Sequence, residues 1–375
     1  MFVAWLFACA EPCDAGIGTN AVGGGADLSA SDSSATDSSG ADSAIGTTTG
    51  HFRLHGGTVV GLGTVDVEFD GARITAVGAS ATGGDVIDVT GRWIVPAFID
   101  SHVHLAYDPR GDELANNGVA GAVDMASPIA FLSSSHLPLR VIAAGPMVTP
   151  VGGYPTRGWG RNGYGLECAS GAEVVAAVGQ LVDAGAGVIK LPVTTGPQFD
   201  AATLASAVER AHARGVKVAT HALSEIDASA ASTAGVDVLA HTPTERLSMD
   251  TVRAWSGRAV VSSLLAFGGE SSTVANLTAL KTQGATVLYG TDFGNTRTAG
   301  IDPGEIALLL QAGMDGSAIL ASGTSVPAAY WGFSDLGEVA VGKAASLLVL
   351  PRDPLADATV LAEAESVWVD GVRRR

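Results

Sequence analysis

The chain has 375 residues, 47% hydrophobic but only 6% aromatic, so a large core is available, built from Ala, Val, Leu and Ile rather than from rings. A formal net charge of −17, from 38 acidic and 21 basic residues, excludes a nucleic-acid binder, which needs a basic stripe; Arg373-Arg374-Arg375 is only a short tail. Three cysteines, Cys9, Cys13 and Cys168, are too few for a disulfide framework and lack zinc-finger spacing.

The first fifty residues read as something other than fold. "MFVAWLFACAEPC" opens on an apolar run far too short to span a bilayer. It resembles the end of a bacterial lipoprotein signal, with Cys9 as the residue to be lipidated, although no positively charged segment precedes it. Either the true start lies upstream or the run is no signal. The Ser/Gly/Ala/Asp tract that follows cannot bury enough apolar area to offset backbone ordering, so a flexible tether is expected. Together these favour an exported protein held to a membrane by lipid alone; without a signal it would be cytoplasmic. Mass spectrometry of the mature N-terminus separates the two, because an unprocessed Met1 excludes the lipoprotein.

Residues 51–95 show alternating apolar residues with glycine turns. "FRLHGGTVVGLG", "VDVEFDGARITAVG" and "DVIDVTGRWIV" read as hairpins. From about residue 96 to 335 short apolar runs alternate with Ala-rich helical stretches. Eight strands are expected: "AFIDSHVH", "GVAGAVDM", "RVIAAGP", "GVIKLPV", "VKVATHA", "VDVLAHT", "AVVSSLL" and "TVLYGTD". Helices such as "SGAEVVAAVGQLVDAGA" and "DAATLASAVERAHARG" begin at capping residues, Ser170 and Asp200, and end near glycine. Eight βα units in about 240 residues predict a (β/α)8 barrel. Strand-like text returns over 336–375, so the two chain ends are expected to form one small β-sandwich domain around the inserted barrel.

Chemistry-bearing residues recur at the ends of these strands. Asp100, His102 and His104 share one face of the first, because strand side chains alternate. Lys190 lies on the fourth, His221 and His241 end the fifth and sixth, and Asp292 ends the eighth. Taken singly each has an ordinary alternative: a His-x-His pair is a weak metal signal, Lys190 suits a phosphate binder or a Schiff-base nucleophile, and Asp292 suits a turn. Four of the eight histidines at strand ends, beside a lysine and an aspartate, favour a metal site.

These segments resemble the amidohydrolase superfamily, within it the imidazolonepropionase-like and zinc prolidase-like branch. The resemblance rests on "VPAFIDSHVHL", "AGAGVIKLPV", "ERAHARGVKVATHA", "AGVDVLAHT", "VLYGTDFG" and "GEVAVGKAASLLVLPRDPLAD", and covers about residues 52–375. It implies two divalent ions, zinc by default. His102, His104 and Asp292 would hold one, His221 and His241 the other, and a carboxylated Lys190 would bridge them. A lysine belongs among cation ligands only because its carbamate is anionic. A bridging water then falls from a pKa of 15.7 to about 7 and becomes a usable hydroxide. Asp292 would take its proton and deliver it to the leaving nitrogen. Asp100 would position the pair of histidines from beneath.

The chain departs from the pattern at Ala97, for glycine, and Ser346, for aspartate, both scaffold positions. In "VGGYPTRGWGRNGYG", Tyr154 stands where relatives often have histidine. Tyr154, Arg157, Trp159, Arg161 and Tyr164 of this loop are candidate substrate contacts, an Arg being suited to a substrate carboxylate. The alternative is a loop whose rings only cover the site. His51, His55, His136 and His212 receive no role, and Cys168 is expected as a small buried apolar residue.

The expected function is metal-dependent hydrolysis of a C–N bond in a small amide or dipeptide-like substrate. Lactone or phosphotriester hydrolysis at the same centre, a tethered non-catalytic binding barrel, and a Schiff-base lyase using Lys190 are the alternatives. Homo-oligomerisation is left open.

Overall fold

The computed structural model describes residues 49–375. Cys9 and nearly all of the expected tether therefore lie outside the described residues. The chain is α/β. Three strands, β1 (Phe98–Val103), β2 (Val119–Asp124) and β3 (Arg140–Ala143), form a parallel sheet in the order β3-β2-β1. Five more form a second parallel sheet in chain order: β4 (Val188–Pro192), β5 (Lys217–His221), β6 (Val238–Leu239), β7 (Ala259–Val261) and β8 (Thr286–Leu288). Every residue of β1, β2 and β4 is buried. These runs are buried on both faces and mostly apolar; the exceptions, Asp100, Ser101, His102, Asp124 and Lys190, are buried polar groups.

Hydrogen bonds join the two sheets at both edges. Ser101 N donates to Tyr289 O (2.9 Å), and His104 N to Phe293 O (2.8 Å), tying β1 to the chain beyond β8. Gly187 N donates to Ala143 O (3.1 Å), tying the end of β3 to the start of β4. The first strand is thereby held beside the last, which brings residues about 190 positions apart into one site.

The helices lie where the capping residues predict. Ser170 Oγ accepts from Glu173 N while Glu173 reaches back to Ala169 N (2.9 Å), a reciprocal cap that starts helix Gly171–Asp183. Asp200 caps helix Ala201–His212, which buries Leu204, Ala207, Val208 and Ala211, one stripe at helical spacing. No helix among the described residues is long and apolar enough to cross a membrane.

The chain ends meet in the remaining β-structure. Strand Trp93–Pro96 pairs antiparallel with Leu347–Leu350, which pairs with Ser366–Val369. They belong to a six-stranded sheet with Thr58–Val59, Gly63–Thr64 and Val372–Arg373. A four-stranded sheet holds His51–His55, Val67–Asp70, Arg73–Val77 and Asp85–Asp88. Leu54, Val67, Phe69 and Ile74 from this sheet share a core with Ile94, Leu347, Val349 and Trp368 from the other. Two of the expected hairpins are corrected here. "FRLHGG…" and "DVIDVTG…" each hand the chain from one sheet to the other, the first then folding back over Thr58–Thr64; "VDVEFDGARITAV" folds back on itself as expected. The glycines at the switches, Gly56 (φ +75°) and Gly91 (φ +76°), take left-handed backbone, and alternation identifies a strand without naming its partner.

Candidate metal centre

The end of β1 and the residue just after it place the first two candidate ligands. His102 Nε2 and His104 Nε2 lie 3.2 Å apart, and both side chains are buried. Asp100, beneath them, accepts from His102 N (3.0 Å), Thr291 N (3.1 Å) and Thr291 Oγ1 (2.6 Å). This bracket crosses from β1 to the segment after β8 and fixes where Asp292 sits. Asp292 takes left-handed backbone (φ +56°), which aspartate tolerates better than most residues. Its Oδ1 lies 3.1 Å from His104 Nε2 and 3.5 Å from His102 Nε2, and accepts from Asn295 Nδ2 (3.0 Å). Two glycines make the crowding possible. A Cβ at Gly290 would stand 2.3 Å from Val261 Cγ1 and 3.1 Å from His102 N; one at Gly294 would stand 2.9 Å from His104 Cβ.

His241 completes the inner face. Its ring lies 4.4 Å from that of His102, and its Nδ1 is 3.9 Å from Asp292 Oδ2. His221, the last residue of β5, meets the His241 ring edge-on at 4.9 Å. Lys190, in the middle of β4, is wholly buried, and its Nζ has no hydrogen-bond partner. The structure thus gathers all six expected ligands, and His102, His104 and Asp292 form a group whose ligand atoms lie within 4.8 Å of one another. His104, His241 and Asp292 stand just beyond strand ends rather than within strands, because side-chain and loop hydrogen bonds replace the ladder there.

Protonation states favour metal binding. His102 Nδ1 donates to Ala240 O (2.7 Å), which leaves the lone pair on Nε2, facing His104 and Asp292. Burial, then repulsion from Lys190, pushes the His102 imidazolium well below its ordinary range and that of His221 down to about 3. Burial and His102 do the same for His241. Burial alone would raise the Asp292 carboxyl, but attraction to His102 and hydrogen bonds from His104 and Asn295 hold it at about 2. Burial lowers the Lys190 ammonium to about 7 against the pull of Asp292. At neutral pH the centre therefore offers the neutral imidazoles of His102, His221 and His241 and the Asp292 carboxylate. With Lys190 Nζ, His104 Nδ1 and His241 Nδ1 all buried without partners, this set fits divalent cations better than it fits an ordinary polar core.

The segment after β3 is partly ordered into sheet: Met147–Pro150 pairs parallel with Gly165–Cys168, where the sequence suggested only loop. Between them Tyr154 stacks on His221 (centroids 4.8 Å, planes 24° apart) and Trp159 meets His104 edge-on at 5.4 Å. Trp159 Nε1 donates to Tyr154 Oη (3.0 Å), and Tyr164 Oη donates to Ala106 O (2.9 Å). Arg157 and Arg161 are exposed, and Arg161 is turned back onto Arg157 O. Cys168 is buried, and His212 is spent on Asp237 (2.8 Å).

Four contributors went unnoticed in the sequence. Thr291 braces Asp100, and Phe267 meets His241 edge-on at 4.9 Å. Tyr107 joins the Trp159 and Tyr164 rings. Asp124 ends β2 with one oxygen accepting from Leu105 N (2.7 Å) and the other unpartnered, and burial raises its carboxyl to about 6. A strand-end aspartate in "AGAVDM" was the one available signal for Asp124.

The family model for amidohydrolases matches residues 165–373, more than half of the chain, and the protein belongs to that family. It is a hydrolase acting on carbon–nitrogen bonds. Solved structures share its fold across 86% of its length. They include a Xaa-Pro dipeptidase with bound methionine (TM-score 0.74, 21% identity, 99% of that chain). A prolidase complexed with N-methylphosphonate-L-proline (0.70, 22%, 99%) and A. niger ochratoxinase (0.70, 18%, 95%) are others. No curated protein matches the sequence.

Proposed function

We propose that the protein hydrolyses an amide bond of a small molecule at a centre of two divalent ions. His102, His104 and Asp292 would hold one ion, His221 and His241 the other, with Lys190, carboxylated on Nζ, between them. The observation that carries this reading is the convergence of six side chains, all buried but the half-buried His221, with Lys190 Nζ lacking any partner. A buried unpaired amine is costly as an ammonium. Its lowered pKa supplies the neutral amine that carbamate formation requires. When bound, the ions supply Lewis acidity and acidify water.

The chain's own groups account for the rest. Asp292, ionised at neutral pH, accepts a proton from the attacking water and returns it to the leaving nitrogen. Its Oδ2, on the His241 side, is the oxygen placed for this, since Oδ1 is engaged by Asn295. Asp100 holds β1 and the segment after β8 together so that His102 and Asp292 keep their spacing. The tight covering by Trp159 and Tyr154 limits water around the reacting bond.

The two parallel sheets, joined at both edges, are best read as a (β/α)8 barrel over residues 96–335. The two sheets that share the Leu54–Trp368 core are best read as a β-sandwich of residues 51–95 and 336–375. Purified protein should contain about two divalent ions per chain by elemental analysis. Lys190→Ala and His221→Ala should each lose metal and hydrolysis of amide substrates together. Full hydrolysis by metal-free protein would overturn the reading.

A further inference from the structure

The imidazoles of the centre are roofed by rings from two separate segments. Trp159 covers His104, Tyr154 covers His221 and Phe267 covers His241. Tyr107, on the turn directly after His104, extends the roof outward; it is 50% exposed and lies edge-on to Trp159 and Tyr164. The ligands beneath are nearly inaccessible, His102, His104, His241 and Asp292 being 0–4% exposed. A substrate that approaches Asp292 from the side these rings occupy passes them, and the part of it flanking the scissile bond then lies against them.

Among the described residues no cation stacks on Tyr107, Trp159 or Phe267, and Arg297, five residues after Asp292, is exposed. Arg157 and Arg161 stand exposed, and Arg110 is engaged by Asp108 (2.7 Å) and Glu113 (3.1 Å). A carboxylate brought among these rings would lose its water and meet aromatic faces whose π-clouds are negative, with no fork of donors to repay it. A flat apolar group would gain edge and stacking contacts instead. Resting on the amide-hydrolase reading above, we propose that Tyr107, Tyr154, Trp159 and Phe267 form an aromatic clamp. Its substrate is an amide whose group next to the scissile nitrogen is an uncharged aromatic ring, not an amino acid with a free carboxylate. In the reaction the C–N bond breaks, the water oxygen joins the acyl carbon, one water proton reaches the leaving nitrogen, and an arylamine and a carboxylic acid result.

The test uses two isosteres differing only in charge, 4-acetamidobenzamide and 4-acetamidobenzoate, with the full-length, metal-replete protein. Both kcat/KM and equilibrium dissociation constants are measured. The neutral compound should be turned over with a kcat/KM about a hundredfold higher and bind correspondingly tighter. Trp159→Ala should weaken binding of the neutral compound about tenfold, chiefly in KM, while leaving metal content unchanged. Trp159→Phe, which keeps a ring and guards against a folding defect, should retain most of the preference. Equal or better handling of the carboxylate would overturn the clamp, as would a Trp159→Ala protein of native fold with unchanged binding. If neither compound is hydrolysed while the neutral one still binds more tightly through Trp159, the clamp stands and the hydrolytic reading for anilides fails.

Discussion

Asp100 accepts three hydrogen bonds, one from His102 N and two from Thr291, although it touches no substrate-facing atom. Burial pushes its carboxyl up to about 7, so each donor matters in keeping it ionised. Thr291→Val removes the shortest of the three and leaves a buried carboxylate oxygen short of a donor. The expected outcome is about a 10–100-fold loss of metal affinity, read by competition with a chelator. A stability loss of about 1–3 kcal/mol should accompany it. Thr291→Ser should restore both, and a Val variant with native metal affinity would remove Asp100 from the positioning role. At this scale the sequence was generous: chemistry-bearing residue types stand out, and the histidine pair, Lys190, His221, His241 and Asp292 were all legible. Thr291 was not, because a threonine beside an aspartate has no signature until another strand lies against it.

Helix Pro303–Gln311 shows how an element reaches toward the site without entering it. Asp302 caps its first turn, and Glu305, wholly buried, accepts from Leu264 N (3.0 Å) and Leu265 N (2.8 Å). It thus fixes the turn Leu265–Phe267 that carries Phe267 onto His241. Burial raises the Glu305 carboxyl from 4.5 to about 7 against hydrogen bonds that lower it. The folded state therefore holds this proton more tightly than the unfolded chain does. Its contribution to stability is greatest below pH 4.5 and declines as pH rises to about 7, on the order of 3 kcal/mol in all. Glu305→Gln should flatten the decline over that window in urea denaturation midpoints. An identical slope in wild type and variant would show that Glu305 does not titrate with folding. Glu305 was hidden in the sequence because a first-turn glutamate usually faces water.

For the whole molecule, the consequential fact is that strands from residues 347–373 complete a sheet begun at residues 58–96. Leu54, Val67, Phe69 and Ile94 lose Leu347, Val349 and Trp368 as partners if the end is removed. A chain ending at residue 335 should accumulate as insoluble protein, because this apolar face would be bared and a strand edge left unpaired. Soluble, metal-binding truncated protein would show that the parallel sheets fold without that support.

The sequence by itself determined most element types, the helix caps and the six candidate ligand residues, since local periodicity, capping chemistry and side-chain type are properties of a short stretch. Only the tertiary structure decided which sheet each N-terminal strand joins, that Thr291 braces Asp100, and that the rings of two separate segments roof the imidazoles. Those choices depend on contacts between residues far apart in the chain, for which one sequence carries no local mark. The loop after the third strand shows the division best. Its aromatics were legible as neighbours of a site, but the outward placement of Arg157 and Arg161 and the inward placement of Tyr154 and Trp159 belong to the fold.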